Sequence, residues 1–484
     1  MKILFAVSEC TPFVKSGGLA DVAGALPKAL ARLGNEVAVM LPKYSQIPEP
    51  WKKRMKKQAE CTVAVGWRQQ YCGIEHMAED DVNYYFIDNE YYFNRDSLYG
   101  HYDDGERFAF FSRAVLEVAK AVNVQADIVH THDWHTAMVN YLLKEEYRKH
   151  PFYERMKSVL TIHNLQFQGI FPPDVTHDLL GLEMDHFHYE RLECNGFVNF
   201  MKAGIIAADH VTTVSPTYRN EILTPYYGEQ LEQVLQYREN DVTGILNGID
   251  DTFYQPKSDP YIEAQYDSGD LACKLENKTK LQQRMGLPEK NDIPLISMVT
   301  RLTKQKGLDL VSRIMHELLE EQDIQLVVLG TGEREFEDYF RYAEFAFHEK
   351  CRAYIGFDEP LAHQIYAGSD MFLMPSKFEP CGLGQLIALQ YGAIPIVRET
   401  GGLYDTVRAY QEEEGTGNGF TFSAFNAHDL KFTIERALSF YCQQDVWKSI
   451  VKTAMNADYS WGKSAKEYQR IFEQVTRSGR DVLE

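Results

Sequence analysis

The chain has 484 residues, more than one hydrophobic core ordinarily holds, so two domains are expected. Hydrophobic residues make up 44% and charged residues 25%, which excludes a disordered or membrane-embedded composition. The formal net charge of -20 repels polyphosphate backbones and excludes a general nucleic-acid binder, whereas a neutral polymer would meet no such barrier.

At the N-terminus, Ile3 to Val7 is too short for a signal-peptide core and reads as a buried first strand. No apolar run reaches the length of a membrane span. The 8 cysteines show no C-x-x-C pair and no zinc-like spacing, so free thiols in a reducing compartment are expected, and with them a cytoplasmic location and no membrane partner. Directly after the first strand, Lys15-Ser16-Gly17-Gly18-Leu19-Ala20-Asp21-Val22 opens a helix. Its glycines let backbone N–H groups approach a ligand, the helix N-terminus favours anions, and Lys15 adds a mobile charge. The plainer reading is an ordinary strand-to-helix turn.

Further short apolar runs follow at Val37 to Leu41, Asp127 to His130, Val159 to His163 and Val211 to Val214, with amphipathic stretches between them. This alternation predicts βα units around a parallel sheet. His130-Thr131-His132-Asp133-Trp134-His135 gathers three imidazoles and a carboxylate, yet the run passes from strand to helix without an outlying ligand pattern. Contacts to sugar hydroxyls suit Asp133 and His135 better than a metal does, and no metal or cofactor is expected. His163-Asn164 also ends a strand, where a histidine often serves structure alone.

Leu246-Asn247-Gly248-Ile249-Asp250 precedes Pro256, Ser258, Asp259 and Pro260, which break regular structure, so a hinge is placed there. The βα rhythm then restarts at Leu295 to Val299, Gln325 to Leu329, Ala353 to Ile355, Met371 to Met374 and Ile394 to Val397. Thr300 to Gly307 puts Arg301 and Lys306 at a strand end, where a planar fork and a point charge could together hold a diphosphate. Gly330-Thr331-Gly332 lacks the third glycine of a dinucleotide fold, because Glu335 stands there. Glu379-Pro380-Cys381-Gly382 opens a further helix and offers a carboxylate suited to positive charge developing on a sugar ring. Glu399-Thr400-Gly401-Gly402-Leu403 repeats the glycine-before-helix arrangement. Ala457 to Ser464 approaches a P-loop but lacks its first glycine and follows a helical segment. Finally, Tyr468, Ile471, Phe472 and Val475 show helical spacing over Ala465 to Val475.

Two doubly wound α/β domains follow, with the motifs gathered at strand ends, where ligands of such sheets bind. In this order and at these separations, the motifs resemble the bacterial glycogen synthase and plant starch synthase family of retaining glycosyltransferases, across nearly the whole chain. The resemblance implies the B-type fold, with two Rossmann-like domains facing across a cleft. It also implies an acceptor-side domain at 1–246, a donor-side domain at 251–460 and a terminal helix at 461–484 that crosses back to the first. It implies ADP-glucose as donor and glycogen or another α-1,4-glucan as acceptor. Catalytic positions fall at Glu379, His163, Arg301 and Lys306. Substrate-binding positions fall at Lys15, Gly17, Gly18, Asp21, Asp133, His135, Asn164, Asn247, Cys381, Gly382, Thr400, Gly401 and Gly402. Many B-type relatives carry a second glutamate eight positions after the first, where this chain has Ile387, and that favours the synthase branch. Competing readings are a UDP-glucose-dependent transferase with another acceptor and a noncatalytic glucan-binding scaffold. Donor comparison separates the first, and glucan binding without nucleotide release would mark the second.

Overall fold

The computed structural model describes residues 1–478, so the last part of the expected terminal segment, 479–484, lies outside the described residues. The chain divides into two units, one formed by Met1–Asn247 together with the segment from Trp461, the other by Gly248–Ser460.

The first unit is built on β1 (Lys2–Ala6), β2 (Glu36–Pro42), β3 (Lys56–Val65), β4 (Arg68–Glu79), β5 (Val82–Asp88), β6 (Ile128–His132) and β7 (Lys157–Ile162). A small antiparallel sheet of β8 (Ile170–Phe171), β9 (Glu193–Cys194) and β10 (Phe197–Asn199) precedes β11 (His210–Thr213) and β12 (Val242–Gly244). The main sheet has the order β12-β11-β7-β6-β1-β2-β5-β4-β3. Its centre is buried on both faces: β1 reads as an unbroken apolar run after Lys2, while β6 and β7 bury polar residues as well. Helices cover those faces, and Gly204 lets the helix Phe200–Ala207 lie against Asp133–Glu145, since an added Cβ would sit 2.6 Å from the Cβ of Ala137.

The sheet is parallel at its centre, as expected, and antiparallel at one edge of this unit. There, β4 runs antiparallel to both β3 and β5. In β3 only Val63 and Val65 are buried, and Lys56, Lys57 and Glu60 face solvent, so the strand lacks the apolar run that marked the sheet centre.

From Trp461 to Ser478 the chain forms a helix within the first unit. Tyr468 and Phe472 are buried against the ring of His130, and Ser464 Oγ donates to the Leu246 carbonyl at 2.5 Å.

The second unit contains β13 (Leu295–Val299), β14 (Gln325–Gly330), β15 (Cys351–Ile355), β16 (Met371–Met374), β17 (Ile394–Arg398) and β18 (Phe420–Phe422). These pair in the order β15-β14-β13-β16-β17-β18, every pair parallel. Gly330 and Gly332 serve backbone packing here: an added Cβ would lie 1.9 Å from the Thr300 carbonyl oxygen or 2.4 Å from that of Leu302.

Candidate active site

In the first unit the expected residues gather beyond the carboxyl ends of β1, β6 and β7. Asp133 begins a helix immediately after β6 with φ 55°, a left-handed conformation that a residue with a side chain adopts at a cost. The turn carries its carboxylate to the next strand end, where Oδ1 accepts the N–H groups of His163 at 2.7 Å and Asn164 at 3.3 Å. Burial nevertheless raises the Asp133 carboxyl to about 7, outweighing those two donors.

His163 follows β7 and lies with its Nε2 2.9 Å from Nδ1 of His132, one ring donating to the other. Burial pulls His163 down to about 3 and holds His132 well below the ordinary imidazole range, so both rings are neutral. His135 is likewise pulled to about 3 by burial, and its ring packs 4.4 Å from that of Tyr99. Asn164 turns its Oδ1 toward the Gln166 N–H, while Asn247 Oδ1 is buried without a hydrogen-bond partner among the described residues.

Glu9, which carried no signal in the sequence beyond being an acid after a strand, occupies the glycine-rich loop. Its carboxylate accepts the Ser16 N–H at 2.5 Å and a bond from Gly17, and burial raises its pKa. Lys15 pairs with Asp21 at 2.9 Å. The Glu9 carboxylate thus holds the turn at Ser16 and Gly17.

In the second unit, Lys306 sits on a short turn after β13 and Glu379 on the loop after β16. Gly307 makes their approach feasible: its φ is 74°, and an added Cβ would fall 2.1 Å from the Pro375 carbonyl oxygen. Lys306 Nζ donates to Glu379 Oε2 at 2.6 Å, and Ser376 Oγ donates to the same oxygen at 2.9 Å. Glu379 is only 6% exposed, so its charge is met by fixed partners rather than by bulk water. Arg301 is exposed and has no ion-pair partner among the described residues.

The loop below is packed closely. A Cβ on Gly401 would meet the Glu379 carbonyl oxygen at 2.0 Å, and one on Gly402 would meet that of Cys381 at 2.1 Å. The Gly402 N–H donates to the carbonyls of Glu379 and Pro380, while the N–H groups of Leu403 and Tyr404 turn back to Thr400. These glycines therefore support the Glu379 loop directly. Gly382 has φ 77°, and the buried Gln385 donates to the carbonyls of Cys381 and Gly382, fixing the turn into the next helix.

The structure thus assembles Asp133, His135, His163 and Asn164 in one unit and Lys306, Glu379, Cys381, Gly382, Thr400, Gly401 and Gly402 in the other. Glu9, Tyr99 and Ser376 join them without having been singled out in the sequence. Among the described residues, no group of three or more His, Cys, Asp and Glu is arranged to hold a metal ion, and no helix is long and apolar enough to cross a membrane.

Two Rossmann-like units with these strand-end groups define a glycosyltransferase of the B-type fold. Residues 2–237 match the family model described as the starch synthase catalytic domain, and residues 279–452 match that of the group 1 glycosyl transferases. Over the full length of both chains the sequence is 99% identical to glycogen synthase of Bacillus subtilis, and 67% identical to that of Bacillus licheniformis. The catalytic domain of starch synthase IV from Arabidopsis thaliana, solved bound to ADP and acarbose, superposes with a TM-score of 0.92 at 34% identity, covering 98% of this chain and 99% of that one. The chain belongs to the glycogen synthase family.

Proposed function

We propose that the chain extends α-1,4-glucan by transferring glucose from ADP-glucose to the growing end, with retention of configuration and release of ADP. The observation that carries this reading is the Lys306–Glu379 pair, backed by Ser376, with Lys306 on the same β13 strand end as the exposed Arg301. Cleavage of the bond between the anomeric carbon and the β-phosphate leaves negative charge on the nucleotide and positive charge on the ring. Arg301 and Lys306 are suited to the first charge and Glu379 to the second.

Lys306 and Glu379 neutralise each other at 2.6 Å. An arriving diphosphate competes for Lys306 and frees the carboxylate to face the sugar. The acceptor hydroxyl attacks from the side of the leaving group, and the departing phosphate takes its proton. Asp133, His135, His163 and Asn164, with the loop of Lys15, Gly17, Gly18 and Asp21, are assigned to the sugar side. Cys381, Gly382, Thr400, Gly401 and Gly402 hold the Glu379 loop beside the donor, and Asn247 ends the first unit. Stabilisation by these cations supports a reaction that proceeds without a divalent metal. The 34% identical starch synthase domain solved bound to ADP supports the adenine nucleotide over UDP.

Lys306→Ala tests the assignment. Loss of a fixed charge that acts on the leaving group lowers kcat by roughly 100- to 1,000-fold. An unchanged kcat accompanied only by weaker donor binding contradicts the role.

A further inference from the structure

The turn between β3 and β4 carries Trp67, whose indole is 77% exposed, although tryptophan is among the most costly side chains to leave in water. The ring is held in place. Its Nε1–H donates to Asp178 Oδ1 at 3.2 Å, the Arg68 guanidinium lies over the ring at 4.8 Å, and Arg68 Nη2 pairs with Asp178 Oδ2 at 3.1 Å. A second nitrogen of Arg68 donates to the Asp178 carbonyl at 2.8 Å. The turn itself rests on that backbone: an added Cβ on Gly66, whose φ is 55°, would lie 2.0 Å from the Asp178 carbonyl oxygen. Anchoring of the hairpin accounts for Arg68 and Gly66, but it leaves the exposed indole without a purpose.

We infer that Trp67, flanked by Arg68 and Asp178, is a stacking site for an α-glucan chain, separate from the residues that carry the reaction. The inference rests on the glucan-extending reading above. An indole face is electron-rich and attracts the polarised C–H groups of a pyranose, while the carboxylate at its edge and the guanidinium over one of its faces can bond sugar hydroxyls. Immobilising the ring in advance removes the ordering cost of binding. A protein partner would instead call for a contiguous apolar patch of some hundreds of Å². Here the residues beside Trp67 are Gly66, Arg68 and Gln69. The chain's net charge of -20 also leaves a neutral, hydroxyl-rich polymer unopposed.

The test uses Trp67→Ala and Trp67→Tyr in the full chain, measured by native electrophoresis through gels with and without glycogen and by glucosyl transfer to glycogen and to a short malto-oligosaccharide. For Trp67→Ala, glycogen should retard the protein less and the half-saturating glycogen concentration should rise about 2- to 10-fold, the range expected for one aromatic stacking contact. Transfer to the short acceptor should stay unchanged, and Trp67→Tyr should retain most of the retardation. Unchanged retardation of Trp67→Ala overturns the site, leaving Trp67 a hairpin anchor. Equal impairment on both acceptors also overturns it, as does a change of oligomeric state in place of a change in retardation. If the unaltered chain is retarded by glycogen but transfers glucose to neither acceptor, the catalytic reading fails while the stacking site stands.

Discussion

Three buried imidazoles, one partly buried imidazole and one buried acid set opposite demands on pH. His135 and His163 are pulled to about 3, and His130 and His132 lie well below their ordinary range, all chiefly through burial. Unfolded, each protonates near about 6.5. Between that pH and about 3 the unfolded chain therefore binds more protons, and stability falls as the pH is lowered. Asp133 has the reverse sign. Its folded carboxyl keeps a proton up to about 7, so its contribution is fully present below the unfolded value and is lost as pH rises through about 7. Asp133→Asn removes that opposing contribution while keeping an oxygen to accept the two N–H groups. The melting temperature of the variant should drop more steeply than that of the parent between pH 7 and pH 4. Equal slopes would contradict a raised Asp133. Glu9 shows what a single residue does not disclose in sequence, since its role depends on a loop folding back so that Ser16 meets it.

Elements were legible in proportion to their burial. All ten apolar runs became strands, most of them buried on both faces where no polar alternation obscures them, although the edge strand β15 is largely unburied. The hairpin of β3 and β4 was not legible, with its charged outer positions and few buried ones. Nor could the pairing of Lys306 with Glu379, 73 positions apart, be read from either motif alone. The same holds for the anchor of the segment that follows Gly248. There Asp259, 2% exposed, accepts hydrogen bonds from His363 at 2.7 Å, Tyr391 at 2.5 Å and the Tyr261 N–H at 2.8 Å. These bonds outweigh burial and raise the pKa of His363 while lowering that of Asp259. Asp259→Ala would leave a buried imidazole and a buried phenol without their acceptor. Denaturant unfolding should show a loss of about 3–5 kcal/mol. A loss below ~1 kcal/mol would mean that the network adds little to the unit.

At the scale of the whole molecule, a strongly acidic chain is assigned an anionic donor and a neutral acceptor. In the proposed reaction Arg301 and Lys306 would meet the donor's charge, Arg301 being exposed and Lys306 paired with Glu379. The full-length match to glycogen synthases takes in both units. The most direct test is transfer of labelled glucose to glycogen from ADP-glucose and from UDP-glucose, each with and without EDTA. The account predicts incorporation from ADP-glucose that exceeds that from UDP-glucose and persists in EDTA. Preferential incorporation from UDP-glucose, or transfer abolished by EDTA, would contradict it.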